Sequence, residues 1–199
     1  MILPIVAYGD PILKKEAQSI EKTYLKLNEL IENMFETMYA ALGVGLAAPQ
    51  IGLSIRLFIL DASPFAEKEE DEEIDPKAIG LENFKKVFIN PIIEKEEGEE
   101  WGFNEGCLSI PKIREEVFRQ EVIHITYYDE KFKLHKEKYD GYAARIIQHE
   151  YDHIQGILFT DHLSTLKRKL LAKKLSNISK GEVKVDYKMK FPNNQKRQK

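Results

Sequence analysis

QHEYDH, residues 148–153, constrains this chain more than any other stretch. His149 and His153 stand four positions apart, so on a helix they share one face, with Glu150 between them. Ile146, Ile147, Tyr151 and Ile154 surround them with apolar side chains, which marks an inner helix rather than a surface one. Gly141 precedes the segment and Gly156 closes it. Two imidazoles on one face can grip a metal ion, and the intervening glutamate can handle protons. A catalytic site of the zinc type needs three protein ligands and one open position. The helix supplies two, so a third ligand has to come from another element.

The rest of the chain offers layers that can cover such a helix. TYLKLNELIENMFETMYAAL (23–42) places Leu27, Ile31, Met34, Phe35, Met38 and Leu42 on one stripe, a helix that Thr23 can cap and Gly43 can end. STLKRKLLAKKLSN (164–177) is a further helix with a basic face, capped by Ser164. SIRLFILDA (54–62) is a strand with a nearly continuous apolar run. KVFINPIIEKEEGEEWGF (86–103) alternates strand and turn signals, and 112–141 reads as strands, with Val122, His124 and Thr126 opposite Ile123 and Ile125. The fold class expected is α+β: mixed or antiparallel strands packed around a central helix carrying the HExxH motif, with an N-terminal and a C-terminal helix.

At 199 residues the chain suits one catalytic domain, with its core over about 1–178 and a C-terminal tail over 179–199. An acidic loop insertion spans 64–82, densest in EKEEDEEIDPKAIG (67–80). Hydrophobic residues at 43% and charged residues at 32% fit a globular protein. A net charge of −3 implies no general or sequence-specific nucleic-acid binding. One cysteine rules out an internal disulfide framework and suits a reducing compartment. MILPIVAYGDPILKKEA (1–17) does not read as a signal peptide, and no apolar run is long enough to cross a membrane, so the expectation is a cytoplasmic protein.

Candidates for the third ligand lie on both sides of the helix. Downstream, Gly156 fits the metzincin pattern, but the position where a ligating histidine would follow is Phe159. Asp161 and His162 remain, just past a glycine turn. Upstream stands EGCLSIP (105–111) with the lone Cys107, whose thiolate would suit a borderline or soft divalent metal.

GVGLAAPQIG (43–52), EGCLS (105–109) and QHEYDH, in that order, resemble the three signature motifs of the peptide deformylase family. YGDPILKKEA (8–17) is similar to that family's N-terminal segment, and the likeness runs from about residue 4 to residue 176. The resemblance implies hydrolysis of the formyl amide on the initiator methionine of newly made proteins, with formate as product. It implies a metal held by Cys107, His149 and His153, ferrous iron in the cell, with zinc, nickel or cobalt as possible occupants. Glu150 would move the proton, and the Gln50 side-chain amide and Leu108 backbone N–H would face the oxyanion. Val44 and Ile146 are candidates for a methionine pocket together with Leu108. Gly45 would let substrate backbone approach, and Arg114 would steady it. Glu105 and Arg119 would form an ion pair under the cysteine loop, and Asp152 would orient the helix or a ligand. The partners implied are N-formylmethionyl nascent chains and, through the basic C-terminal helix, the ribosome, with no membrane. Two other readings stand beside this one: an HExxH metallopeptidase using Asp161 or His162, and a non-catalytic, metal-stabilised ribosome-binding module.

Overall fold

The structure, a computed structural model, describes residues 1–67 and 75–192. Residues 68–74 of the acidic stretch singled out in the sequence lie outside the described residues. On either side of them, short 3-10 turns form at Ser63–Phe65 and Pro76–Ala78.

Five antiparallel strands make the main sheet: β2 (Gly45–Ala47), β3 (Leu57–Asp61), β4 (Lys85–Cys107), β5 (Ile110–Tyr128) and β6 (Leu134–Tyr139), in that spatial order. The apolar run of β3 has a simple cause. Leu57 and Ile59 pack on one side with Ile31, Met34 and Met38 of helix α1 (Leu27–Ala40). Phe58 and Leu60 pack on the other with Ala144, Ile147 and Ile154 of helix α2 (Gly141–Ile154). A strand covered by a helix on each side has no solvent face to make polar. Each fully buried Leu, Ile, Met or Phe contributes about 1.5–3 kcal/mol of transfer free energy, so this β3 sandwich is a principal stabilising contact.

The β4–β5 hairpin is longer than the turn signals in its sequence suggest. Asn90-Pro91 and Gly98 are not turns; they sit where the pairing register shifts, between Ile89 and Ile92 and between Glu97 and Glu100. Proline lacks the N–H a ladder needs, and a bulge is where a strand tolerates that. Asn90 adopts φ 49° and ties the bulge to the N-terminal segment, accepting from Ile20 N–H at 2.9 Å and donating to its carbonyl at 2.7 Å. At its far end the hairpin closes tightly, with Cys107 paired to Ile110 and only Leu108 and Ser109 between them.

Helix α1 starts later than Thr23. Lys26 takes a left-handed conformation (φ 58°) and Tyr24 N–H bonds Glu21 O at 2.9 Å, so 21–26 is a turn. Leu42 also departs from the expected stripe: at φ 55° it leaves the helix and is 94% exposed, while Gly43 N–H closes on Met38 O. Both glycines flanking α2 are needed where they stand. Gly141 (φ 53°) and Gly156 (φ 74°) are left-handed, and a Cβ at either would lie 2.7 Å from the backbone of Lys77 or Lys14.

Helix α3 (Thr165–Lys180) is capped by Ser164, whose hydroxyl accepts from Lys167 N–H at 3.3 Å, and it ends at Gly181 (φ 79°). The stretch from Val183, whose sequence reads as a strand running into a polar tail, does carry a short strand, though later than its start. It folds back so that β7 (Met189–Lys190) pairs in parallel with β1 (Ile5–Val6), with Ile5 N–H bonding Lys188 O at 2.8 Å and Ala7 N–H bonding Lys190 O at 2.9 Å. The partners are separated by most of the chain, which is why local composition suggests a tail. The architecture is α+β, and among the described residues no helix is long and apolar enough to cross a membrane.

Candidate metal and catalytic centre

The tight end of the β4–β5 hairpin and one face of α2 meet. Cys107 lies at the hairpin end, and His149 and His153 lie one helical turn apart on α2. One donor atom from each of the three falls within 4.8 Å of the others. Cys107 Sγ is 3.3 Å from His153 Nε2, close to the roughly 3.5 Å that thiolate and imidazole donors adopt around one tetrahedral ion. The donor set of one thiolate and two imidazoles fits a borderline divalent metal.

One of the three candidate ligands, His149, has carboxylate support, whereas His153 Nδ1 has no hydrogen-bond partner among the described residues. Glu105 Oε2 is 2.8 Å from His149 Nδ1, which turns that ring's Nε2 toward the cysteine. Carboxylate–histidine–metal relays of this kind fix ring orientation and tautomer. Glu105 is itself clamped: Arg119 donates from Nε to Oε1 at 2.7 Å and from Nη2 to Oε2 at 3.0 Å, and Arg145 Nη1 adds a third bond at 3.1 Å. Arg119 also donates to Asp152 Oδ2 at 2.7 Å, which His162 Nε2 approaches at 2.7 Å. Burial pushes the Glu105 carboxyl upward, but His149 and Arg119 more than offset this and hold it well below the usual carboxylate range.

The Cys107 thiol is pushed up by burial, then pulled further the other way by His153 and His149, to about 5. A thiolate is the form that ligates metals. Glu150 behaves oppositely. Burial raises its carboxyl to about 7, and its Oε2 has no hydrogen-bond partner among the described residues although Glu150 is only 4% exposed. A buried carboxylate left free in a cleft and titrating near neutrality has the properties of a proton carrier.

Gln50 sits across from it, 1% exposed on the 3-10 turn Ala48–Ile51. Ala47 N–H donates to its Oε1 at 2.8 Å, and that bond aims the amide NH2 into the site, 3.5 Å from Cys107 Sγ and 3.4 Å from Ser109 Oγ. The two glycines of GVG have separate causes. A Cβ on Gly43 would lie 2.7 Å from the Leu108 side chain, and a Cβ on Gly45 would overlap the Glu150 carboxylate. The space beside Gly45 is thus occupied by Glu150 before any substrate arrives.

A cavity of about 620 Å³ opens onto these groups, lined by Val44, Gly45, Gln50, Leu108, Ile146, His149 and Glu150 among others. Arg114 also lines it but at its exposed side, donating to Asn104 O at 3.3 Å. Arg119 bonds both Glu105 and Asp152 and is linked to His149 through Glu105. Asp161 and His162 are engaged elsewhere, Asp161 with Lys14 and Leu158 N–H and His162 with Asp152.

Two features escape sequence reasoning. Arg145 is 3% exposed, donates to Trp101 O at 2.5 Å and to Val117 O at 3.1 Å, and stacks its guanidinium 4.3 Å from the Trp101 ring. A signal for it exists: it is the one charge inside the apolar run AARII, four residues before His149. Phe103 lines the cavity and packs with Trp101 and Tyr142 at centroid distances of 5.7 and 5.5 Å. Its signal is WGF, an aromatic pair in an otherwise acidic strand.

A family profile described as polypeptide deformylase matches residues 2–169. A peptide deformylase of Christiangramia forsetii is 62% identical, over 98% of this chain and 99% of that protein. One from Flavobacterium psychrophilum is 56% identical, over 96% and 97%. Among solved structures, Arabidopsis thaliana peptide deformylase 1B in complex with an inhibitor superposes with a TM-score of 0.76 at 32% identity, covering 90% of this chain and 92% of that one. A peptide deformylase from Legionella pneumophila gives 0.74 at 37% identity, with coverage of 92% and 98%.

Proposed function

This chain belongs to the peptide deformylase family, and from that premise we infer how its own residues remove the formyl group from an N-terminal formylmethionine. The reaction is hydrolysis of the formyl amide, giving formate and a free α-amine. The family uses a divalent metal, and Cys107, His149 and His153 are the residues that would hold it here. When bound, the ion supplies Lewis-acid charge that polarises the formyl carbonyl and makes water acidic enough to lose a proton near neutral pH.

The remaining work falls to side chains and backbone. Glu150 takes the proton from the attacking water and returns it to the amine as the C–N bond breaks. The Gln50 amide and the Leu108 N–H donate to the formyl oxygen as it gains negative charge. Val44, Leu108 and Ile146 receive the methionine side chain, with Phe103 at the same wall. β2 is the edge of the five-stranded sheet, so its backbone can pair with the first residues of an extended peptide, and Arg114 at the open side steadies that peptide. Glu105 and Arg119 hold His149, and Asp152 holds Arg119.

The observation that carries this reading is Glu150: buried, raised toward neutrality, unpartnered at one oxygen among the described residues, and set between two candidate ligands opposite Gln50. Its test is formate release from an N-formylmethionyl tripeptide by wild type and Glu150→Gln, with metal content measured on the same samples. Loss of about 10²–10⁴-fold in rate at full metal content is expected. Near-normal turnover in the variant would remove Glu150 from proton transfer.

For the metal in the cell we propose ferrous iron, with zinc, nickel and cobalt able to occupy the same donors. Anaerobic iron-loaded protein should outperform zinc-loaded protein in kcat/KM, and equal values would count against iron. The substrates are formylated nascent chains, and the cytoplasm is the compartment we propose for the reaction. Lys167, Arg168, Lys169, Lys173 and Lys174 of α3 are proposed to contact the ribosome, flanked by Leu166 and Leu170, which are 68% and 73% exposed. Binding through RNA phosphates should fall steeply with salt. Co-sedimentation that survives charge reversal at these positions would exclude it.

A further inference from the structure

We propose that Tyr187, on the segment that follows α3, is a positioning residue for the Cys107–Ser109 turn and hence for the Leu108 N–H. The proposal rests on the assignment of that N–H as a donor to the formyl oxygen.

After Gly181 the chain crosses the mouth of the cavity, and Lys184, Val185, Asp186 and Tyr187 line it. It then pairs with β1. This places two anchors on either side of the turn. Tyr187 Oη donates to Leu108 O at 2.7 Å, and Tyr8 N–H donates to Ser109 O at 2.9 Å. Tyr8 lies two residues beyond β1 and Tyr187 two residues before β7, so both anchors hang from the same small sheet.

The turn has little freedom to begin with. Cys107 is paired to Ile110, so the soft torsions are essentially φ and ψ of Leu108 and Ser109. Anchoring both carbonyls pins those torsions. The peptide plane carrying the Leu108 N–H is then fixed between Cys107 and the anchored Leu108 carbonyl. Packing alone does not require the hydroxyl: the Tyr187 ring lies against the cluster containing Ile5, Met34 and Met38, where phenylalanine would fill the same space. The hydroxyl is the part that reaches the turn.

Tyr187→Phe in the full-length, metal-loaded protein isolates that hydroxyl. One neutral hydrogen bond is worth roughly 0.5–1.5 kcal/mol net, or roughly 2–12-fold in an equilibrium. In nickel-loaded enzyme kcat for a formylmethionyl tripeptide should fall by about five- to tenfold, with KM within twofold and metal content unchanged. In zinc-loaded, 15N-labelled protein the Leu108 and Ser109 amides should lose backbone order (a lower order parameter) relative to wild type, with distant amides unaffected. A structural role confined to packing would move neither kcat nor those two amides selectively. Unchanged amide order at the turn overturns the proposal whatever the kinetics do, and lost order with kcat intact overturns its link to the reaction. Absence of formate release in wild type would instead be a failure of the functional reading, and the amide-order measurement would still decide whether Tyr187 holds the turn.

Discussion

Glu105→Gln is the substitution whose effect can be worked out most fully from the contacts. Glu105 is 4% exposed and neutralises Arg119 and Arg145, themselves 7% and 3% exposed. Removing one partner of a buried ion pair costs about 3–5 kcal/mol, mainly because the other charge is left uncompensated. Here the lower end applies. Arg119 keeps Asp152 at 2.7 Å, and Arg145 keeps the carbonyls of Trp101 and Val117. For a chain of this size about 3 kcal/mol corresponds to a fall in melting temperature of about 6–12 °C. The melt must be run on metal-free protein, because bound metal raises the apparent stability by mass action. A second loss is expected at the metal. His149 Nδ1 faces a neutral amide in place of a carboxylate, and loss of such an outer partner typically costs about 10–100-fold in affinity. Competition against a chelator of known affinity measures that. A metal-free variant melting within about 2 °C of wild type, together with unchanged metal affinity, would refute the reasoning that Glu105 is the junction between the two arginines and the ligand.

Gln50→Ala should lower kcat by about 10²–10³-fold with KM little changed, since a donor to the oxyanion acts in the transition state; a change confined to KM would move Gln50 into ground-state binding. Gly45→Ala introduces a methyl where the Glu150 carboxylate lies. Displacing a reacting group by about 1 Å can cost about 10²-fold, so steady-state turnover should drop while circular dichroism and metal content stay near wild type, and unimpaired turnover would mean that Glu150 has room to move.

The parts of this molecule written in short-range pattern are legible in the order of residues alone. His149, Glu150 and His153 share a helix because their spacing matches its period, and Gly141 and Gly156 punctuate it because only glycine fits against the neighbouring backbone. The alternation around Ile123 and Ile125 marks the inward face of β5 for the same reason. Signals with two meanings are harder. Asn90-Pro91 and Gly98 mark turns in most contexts, and here a long ladder on both sides converts them into bulges. Lys26, rather than Thr23, starts α1 because a left-handed residue stops the helix running back, and nothing in a lysine announces that. Contacts between distant segments are not written in spacing: the meeting of Cys107 with His149 and His153, and of Glu105 with Arg119, is expected only through the family resemblance. Arg145 carries a visible charge but not the identity of its partners on β4 and β5, and the pairing of Met189–Lys190 with Ile5–Val6 depends on how the intervening chain folds.

The edge strand β2 is only three residues long, Gly45–Ala47, before Pro49 and the 3-10 turn end it. At about 3.4 Å per residue it spans roughly 10 Å, and its Ala47 N–H is already bonded to Gln50 Oε1 at 2.8 Å, so the length left for pairing is shorter still. Main-chain pairing does not distinguish one side chain from another, and about 10 Å reaches no further than the opening two or three residues of a peptide. A ruler that short reads the one feature shared by all newly started chains and runs out where their sequences begin to differ. If the peptide pairs with β2 as proposed, generality toward a whole proteome is set by where a strand stops.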